Sequence, residues 1–176
     1  HDRLFLHSAY PTEAEDSVFF GPDSYRFADL IAAELARQPL APGAHVVDMG
    51  AGAGVGGIVA GLASRDARVT LTDLNAKALR LARINAAAAG VAVEAVEAGT
   101  LEPVADPIDL AVINPPYIID DKSRAYRDGG AMHGGEVPFA MTRMAAERIA
   151  PGGRVILYTG AAIVDGRNAL CEAVGG

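Results

Sequence analysis

The segment that decides the fold is Ala44-His45-Val46-Val47-Asp48-Met49-Gly50-Ala51-Gly52-Ala53-Gly54. It begins as an apolar run of strand length and ends in glycines at alternate positions. Glycine adopts backbone angles that are closed to other residues, and it lets a ligand approach the main chain closely. A stretch of small residues, 56–64, follows directly and predicts a helix packed tightly against a sheet. The segment therefore predicts a strand, a ligand-binding turn and a helix in succession.

Five apolar runs of about strand length, rich in Val, Ile or Leu, recur along the chain. Continuous apolar runs are typical of strands that are covered on both faces, and hence of a mainly parallel sheet. The predicted strands are 44–48, 68–72, 91–96, 108–113 and 154–158, and the predicted helices are 27–37, 56–64, 76–89, 137–149 and 164–173. This alternation predicts an α/β fold with a doubly wound, mainly parallel sheet and right-handed crossovers.

Composition restricts the classes of function. The 176 residues are 51% hydrophobic, which is enough for one α/β domain with a substantial core. A net charge of −7 argues against a broad, non-specific grip on nucleic acid, because neutralising phosphates requires clustered Lys and Arg. The single cysteine, Cys171, allows no intramolecular disulfide and favours a cytoplasmic location. No apolar run predicts a membrane span, and the spacing of the four histidines predicts no metal site.

An acidic residue, Asp73, ends the second predicted strand. In parallel sheets of this kind, a carboxylate at that strand end can accept hydrogen bonds from the two hydroxyls of a ribose. The run Gly52-Ala53-Gly54-Val55-Gly56-Gly57 also satisfies the glycine pattern of dinucleotide-binding turns. An NAD(P)-binding oxidoreductase is therefore one hypothesis that the turn leaves open.

The fourth predicted strand ends in Asn114-Pro115-Pro116-Tyr117. Two successive prolines restrict the backbone and remove two N–H donors, which leaves carbonyl oxygens available to a ligand. We expect the Asn114 side-chain oxygen and the Pro115 carbonyl to accept both hydrogens of a planar amino group, which concentrates electron density on its nitrogen. The Tyr117 ring is expected to stack on that group. These residue types predict a site that acts on a planar amide or amino nitrogen, with Asn114, Pro115, Pro116 and Tyr117 as catalytic residues.

Together, the glycine turn, the stretch Leu71-Thr72-Asp73-Leu74-Asn75 and the Asn114–Tyr117 motif resemble the class I S-adenosylmethionine-dependent methyltransferases. The combination is similar to the HemK-type and small methyltransferase families. The resemblance implies S-adenosyl-L-methionine as cofactor, with Gly50 and Gly52 near its methionine part and Asp73 on its ribose. Many relatives have an aspartate after the third strand, but this chain has Ala98-Gly99-Thr100-Leu101. The implied cofactor-binding set is Asp48, Gly50, Gly52, Gly54, Asp73, Leu74, Thr100 and Asn114.

Two flanking segments share the resemblance. Residues 18–25 are similar to the segment that closes over the cofactor, so Ser24 or Tyr25 is expected at the methionine end, with an N-cap role for Asp23 or Ser24 as the alternative. The glycine-rich residues 128–136 resemble the stretch after the catalytic motif and predict a lid. The expected organisation is an N-terminal segment and helix, 1–40, that covers the cofactor site, and a methyltransferase core, 41–176.

The leading hypothesis is an S-adenosylmethionine-dependent N-methyltransferase that acts on a protein glutamine, since the acidic charge favours a protein substrate. Its rival is the same chemistry on an exocyclic amino nitrogen of adenine or guanine in RNA or DNA. The resemblance also implies two further strands, an antiparallel hairpin, after the fifth strand, and this sequence lacks them. An exposed strand edge invites association, so we expect a missing segment, a partner or self-association at that edge.

Overall fold

The computed structural model describes residues 3–12, 14–120 and 127–175. Its elements, in chain order, are α1 (Pro22–Arg37), β1 (His45–Met49), α2 (Val55–Ala63), β2 (Arg68–Asp73), α3 (Ala76–Ala89), β3 (Glu94–Glu97), β4 (Ile108–Ile113), α4 (Ala131–Gly134), α5 (Glu136–Ala146), β5 (Ile149–Leu157) and α6 (Ala169–Gly175). The strands form one parallel sheet in the order β3-β2-β1-β4-β5. The predicted α/β fold class is confirmed.

Helices cover both faces of this sheet. Successive residues of a strand point to opposite faces, and β1 accordingly contributes Val46 to one core and Val47 to the other. The first core contains apolar residues of α1, α2 and α3, whereas the second contains Ala145 of α5. Every residue of β1 is buried, which explains why its sequence is a continuous apolar run apart from His45 and Asp48.

Two elements agree with their predicted bounds at both ends, α3 and β4. Residues at its two ends set both bounds of α3. The Asn75 side chain accepts hydrogen bonds from the backbone N–H groups of Lys77 and Ala78, at 3.0 and 3.3 Å, and Gly90 ends the helix with a φ of 71°. Val91 N–H then bonds to Ala86 O at 2.9 Å, so Val91 completes the helix end and β3 begins later than predicted.

The first helix begins earlier than its predicted start at residue 27. Pro22 is its first residue, where the fixed φ of proline suits the helix and the missing N–H costs nothing. Gly21 is the N-cap, and its N–H donates to Ser24 Oγ at 3.2 Å. The expected N-cap role of Asp23 or Ser24 is therefore wrong, because both residues lie within the first turn.

The boundary between α5 and β5 also differs from the prediction. The helix ends at Ala146, and β5 begins at Ile149, which was expected to be helical. The register shifts between the Ile108–Ile149 pair and the Leu110–Arg154 pair, so Pro151, Gly152 and Gly153 form an irregular stretch inside β5. The last helix, α6, begins at Ala169 rather than 164 because residues 164–167 form a tight bridge and Asn168 Oδ1 accepts the Cys171 N–H.

The edges of the sheet are β3 and β5. Among the residues that the structure describes, no strand pairs with the outer side of β5, and the expected association at this edge stays a prediction. Within the same ranges, no helix has both the length and the apolar character needed to cross a bilayer.

Candidate active site

Three predicted site residues lie side by side at the carboxyl end of the sheet. Met49, the last residue of β1, pairs with Thr72 of β2 and with Ile113 of β4. The next residues, Gly50, Asp73 and Asn114, therefore lie level with one another. Neighbouring strands are about 4.8 Å apart, so Asp73 and Asn114 are separated by roughly 10 Å across the central strand. They lie on either side of the glycine turn, and the surface between them is called the cleft.

The glycine turn exposes its backbone at Gly50 and Gly52. Both residues have positive φ, 67° and 53°, which favours glycine. A Cβ built on Gly52 would meet nothing within 4 Å, and one built on Gly50 would meet only Met141 Cε, at 3.3 Å. An open side next to bare backbone is the shape that a ligand lying close to the main chain requires.

The later glycines of the turn face inward instead. A Cβ on Gly54 would lie 3.0 Å from Ala82 Cβ of α3, and one on Gly56 would lie 2.8 Å from a ring carbon of Phe27. A Cβ on Gly57 would overlap the side chain of Leu71. These glycines allow α2 to pack closely on its neighbours. Gly54, expected at the cofactor, is thus placed against α3 rather than at the open side.

The Asp48 side chain lies behind the glycine turn, inside the protein. It is 1% exposed, and its Oδ2 accepts the Gly57 N–H at 2.7 Å, near the N-terminus of α2. Burial raises the pKa of this carboxyl to about 7, with a smaller increase from nearby Asp73, while hydrogen bonds from Gly57 and Gly56 oppose the shift. Asp48 is one of the residues predicted to bind the cofactor, and the structure places its side chain inside the protein.

Asp73 lies at the surface of the cleft with both oxygens already engaged. Oδ2 accepts the Gly52 N–H and Oδ1 accepts the Asn75 N–H, each at 2.8 Å. Burial raises its pKa, whereas these backbone hydrogen bonds lower it. A carboxylate has about four lone-pair positions, so Asp73 retains the capacity to accept hydrogen bonds from a ligand.

Two residues expected on the adenine side lie at the rim beyond Asp73. Leu74 is 73% exposed, and its side chain lies over Gly99, where a Cβ would approach Leu74 Cδ2 to 2.9 Å. Thr100 is exposed in the loop after β3. They form an apolar and a hydroxyl-bearing edge next to the carboxylate.

On the other side of the cleft lies the predicted catalytic segment, residues 114–117. Asn114 is half-buried, and the structure shows no hydrogen bond from its side chain to the residues that it describes. Pro115 is buried, and Pro116 and Tyr117 are half-buried. The Tyr117 hydroxyl donates to the Asp23 carboxylate, and burial followed by this bond raises the Tyr117 pKa above its usual range.

The predicted lid, residues 128–136, packs on the backbone of Tyr117 and Ile118. Gly129 N–H donates to Ile118 O at 2.8 Å, and a Cβ on Gly134 would overlap the Tyr117 carbonyl oxygen. The Glu136 carboxylate accepts the Ala131 N–H at 2.8 Å. Met132 and His133 are exposed on the outside of this turn, both with positive φ.

An N-terminal strap, residues 3–12 and 14–20, covers the neighbouring surface. Asn85 of α3 accepts the Leu6 N–H at 2.7 Å and donates to Leu6 O and Ala53 O, at 3.0 and 2.9 Å. Asn75 donates to Asp16 O at 2.9 Å. The strap is thereby tied both to the glycine turn and to the helix after Asp73. Ser24 is buried, and Tyr25, on the first turn of α1, is 47% exposed with its edge against Phe20.

Sequence reasoning missed several residues of this region, above all Asp23 as a partner of Tyr117, Tyr158 beside it, and Asn85. Their contacts join residues far apart in the chain, and no local pattern indicates them. In the described ranges, no group of three His, Cys, Asp or Glu is arranged to hold a metal ion.

Comparisons with known proteins identify the family of this chain. The model of the methyltransferase small domain family matches residues 24–162. The release factor glutamine methyltransferase of Deinococcus radiodurans is 36% identical over 136 residues, which are 71% of this chain and 47% of the relative. The tRNA1(Val) (adenine(37)-N6)-methyltransferase of Aeromonas hydrophila is 34% identical, over 74% of this chain and 57% of the relative. The chain thus spans about half the length of these curated relatives.

Solved structures show the same fold. A 16S rRNA N2 methyltransferase of T. thermophilus, solved with AdoMet and guanosine, superposes with a TM-score of 0.61 at 22% identity, over 79% of this chain and 34% of that one. TrmN from Thermus thermophilus has a TM-score of 0.59 at 25% identity, over 78% of this chain and 41% of that one. The family match decides between the two cofactor hypotheses and against the nicotinamide oxidoreductase. Since the family model spans most of the residues described, the chain belongs to the methyltransferase small domain family, and the S-adenosylmethionine-dependent methyltransferase predicted from its sequence is confirmed at that level.

Proposed function

We propose that this chain transfers the methyl group of S-adenosylmethionine to the side-chain amide nitrogen of a protein glutamine. One observation carries the proposal: the Asn114 side chain has no hydrogen bond to the described residues, at the same level of the sheet as Gly50 and Asp73. A carboxamide left open near the exposed backbone of Gly50 and Gly52 has acceptor and donor capacity for a planar amide. Relatives named release factor glutamine methyltransferases support this choice of substrate.

The residues of the cleft fit S-adenosylmethionine, which supplies an electrophilic methyl group when bound. Gly50 and Gly52 offer open backbone for its methionine part, and Asp73 retains lone pairs for ribose hydroxyls. Exposed Leu74 and Thr100 provide an edge for the adenine. We assign Asp48 and Gly54 a supporting role, because both are buried behind the turn. Residues 1–40 act as the cover and 41–176 as the core.

The catalytic segment makes the substrate nitrogen a better nucleophile. An amide nitrogen is poorly nucleophilic because its lone pair is delocalised. Asn114 Oδ1 and the Pro115 carbonyl accept its two N–H bonds, which concentrates electron density on nitrogen, and neither Pro115 nor Pro116 has an N–H to compete. Tyr117 holds the planar group in line. Its raised pKa keeps the Tyr117 hydroxyl protonated at neutral pH, so Tyr117 is not a base. The nitrogen loses one proton to water after it has taken the methyl group, and the rate depends on positioning.

The surroundings of Tyr117 favour a polypeptide over a nucleic acid. Ile118 and Ile119 follow it directly, and Met132 lies on the lid; their exposed fractions are 42%, 63% and 37%. Apolar side chains at a rim suit the side chains of a protein loop, and the net charge of −7 disfavours a phosphate backbone. We propose that residues 128–136 close over this loop, and that the enzyme works in the cytoplasm on a macromolecular substrate.

A second candidate is methylation of an exocyclic amino nitrogen of adenine or guanine. It is favoured by relatives such as the Aeromonas tRNA enzyme and the ribosomal RNA small subunit methyltransferase C of Pseudomonas aeruginosa. A nucleobase presents the same planar amino group to Asn114, and its ring stacks on Tyr117 equally well. Both substrates therefore use the same hydrogen-bonding geometry.

Radiolabelled methyl transfer separates the two candidates. The acceptors are a purified bacterial release factor, the same factor with each glutamine replaced in turn, total tRNA and small-subunit rRNA. We expect label in the release factor that is lost with one glutamine and is removed by protease. Label that is removed only by nuclease would select the nucleobase. Calorimetry with S-adenosylhomocysteine and with NAD tests the cofactor separately, and binding of NAD alone would contradict the proposal.

A further inference from the structure

A carboxylate from the first helix holds the catalytic tyrosine. The Tyr117 hydroxyl donates to Oδ2 of Asp23, a residue 94 positions away in the chain. The Tyr158 hydroxyl donates to Oδ1 of the same carboxylate at 3.4 Å, and Arg26 Nη1 lies 3.6 Å from that oxygen. The Asp23 side chain is 27% exposed, so this contact is partly shielded from solvent. Asp23 thereby joins α1 to the ends of β4 and β5.

The Tyr117 ring is also restrained along its length. A Cβ built on Gly160 would lie 2.6 Å from ring carbons Cδ2 and Cε2, so the ring packs directly on this glycine. A Cβ on Gly129 would lie 2.7 Å from Tyr117 Cα, so the backbone of the residue is also closely covered. A ring that is held at its hydroxyl, on one face and at its backbone keeps one plane.

We propose that Asp23 is a positioning residue for methyl transfer, which acts by setting the plane of the Tyr117 ring against which the planar substrate group lies. The inference rests on the proposed function, because it assumes that a planar amide or amino group stacks there. A misplaced reacting group lowers turnover far more than cofactor affinity, since small displacements remove the near-attack geometry. Substitution of Asp23 should therefore lower kcat and leave the affinity for S-adenosylhomocysteine, the product formed from the cofactor, almost unchanged.

A purely structural role makes a different prediction. Asp23 lies in the first turn of α1, where a carboxylate also interacts favourably with the helix dipole. If that were its only role, substitution would lower the stability of the protein independently of the Tyr117 hydroxyl. Coupling between Asp23 and Tyr117 therefore separates the two roles.

The test is a double-mutant cycle with Asp23→Ala and Tyr117→Phe, each of which removes the same hydrogen bond. We expect each single variant to lose about tenfold in kcat, as for one net hydrogen bond, and the double variant to lose about the same. Affinity for S-adenosylhomocysteine should stay within about twofold. Asp23→Asn keeps an acceptor oxygen and should retain most of the activity. Glu34→Ala removes a carboxylate from the other end of α1 and is the matched control.

Ultraviolet absorption provides a readout that needs no turnover. The chain has five tyrosines and no tryptophan, so tyrosine dominates its near-ultraviolet spectrum. Asp23→Ala should shift this spectrum in the wild-type background and shift it much less in the Tyr117→Phe background, where only the longer hydrogen bond from Tyr158 is lost. Additive losses of kcat, or the same spectral shift in both backgrounds, would overturn the positioning role in an active enzyme. A wild-type protein that methylates none of the acceptors would instead contradict the proposed function, and the positioning role with it.

Discussion

The two sides of the glycine turn are built differently. On the β2 side, both oxygens of Asp73 accept backbone N–H groups, and Asp48 accepts another from beneath. On the β4 side, the Asn114 side chain has no such partner among the described residues, and Tyr117 is held by a carboxylate from α1. The first side is fixed by backbone near the turn, whereas the second depends on a contact between distant parts of the chain.

This difference indicates how the work of the site is divided. Backbone hydrogen bonds hold the Asp73 carboxylate in one position before any ligand binds, which in the proposed function favours tight binding of S-adenosylmethionine. In the same proposal, the open amide of Asn114 gains its hydrogen bonds only from the substrate, so it contributes during the reaction. Four variants test this division, from the largest expected effect to the smallest.

The first variant tests how much the burial of the Asp48 carboxyl lowers the stability of the protein. Its pKa rises from 3.8 to about 7 on folding, so the folded state holds a proton that the unfolded state has lost between these values. The contribution of Asp48 to the free energy of unfolding is therefore greatest below about pH 4, falls as the pH rises from there to 7 and is constant above 7. The total change is up to about 4 kcal/mol. Asp48→Asn, which keeps an acceptor for Gly57, should remove most of this dependence.

Urea unfolding at pH 5 and at pH 8 measures the effect, with the exposed Asp66→Asn as control. A variant whose stability falls with pH as steeply as the wild type would show that Asp48 is charged in the folded protein at neutral pH.

Asn114→Ala tests the substrate side. It should lower kcat by roughly two orders of magnitude or more, because one positioning and accepting contact is lost in the transition state. Affinity for S-adenosylmethionine should stay within a few-fold, and stability should change little, since the side chain has no partner in the described structure. Steady-state kinetics and calorimetry measure both quantities, with Asn168→Ala at the start of α6 as control. Near-normal turnover would show that the proposed mechanism is wrong.

Asp73→Ala should have the opposite pattern. It removes the acceptor of Gly52 and Asn75 together with the expected ribose contact, so S-adenosylmethionine affinity should fall roughly 10- to 100-fold. Turnover at saturating cofactor should fall much less. Calorimetry and the ratio of kcat to KM measure this. If Asp73→Ala lowered kcat and left cofactor affinity unchanged, the proposed division between a cofactor-binding side and a substrate-binding side would be wrong.

Asn85→Leu tests whether the N-terminal strap contributes to cofactor binding. It leaves two polar atoms of Leu6 and the carbonyl of Ala53 without their partner, so the free energy of unfolding should fall by about 2 kcal/mol. Hydrogen exchange at Leu6 should accelerate, and cofactor affinity should weaken by a few-fold. Exchange at Leu6 that matches the wild type would show that the strap is held by other contacts.

Some parts of this architecture follow from short stretches of sequence. The bounds of α3 could be predicted because Asn75 and Gly90 act on the helix ends themselves, and those of β4 because its apolar run is buried on both faces. Gly50, Asp73 and Asn114 could be placed at one edge because parallel strands present their carboxyl ends together. Bounds at β5 and α6 could not, since an irregular stretch and a tight bridge interrupt the pattern there.

By itself, the sequence determined the parallel sheet, the order of its strands and helices, and the family, because these depend on hydrophobic runs, glycines and motifs that each lie within a few residues. Only the tertiary structure decided which glycines face the cleft, that the Asp48 carboxylate lies inside, and that Asp23 reaches Tyr117. Each of these depends on which side chain occupies a small space between elements far apart in the chain, and local patterns carry no information about that space.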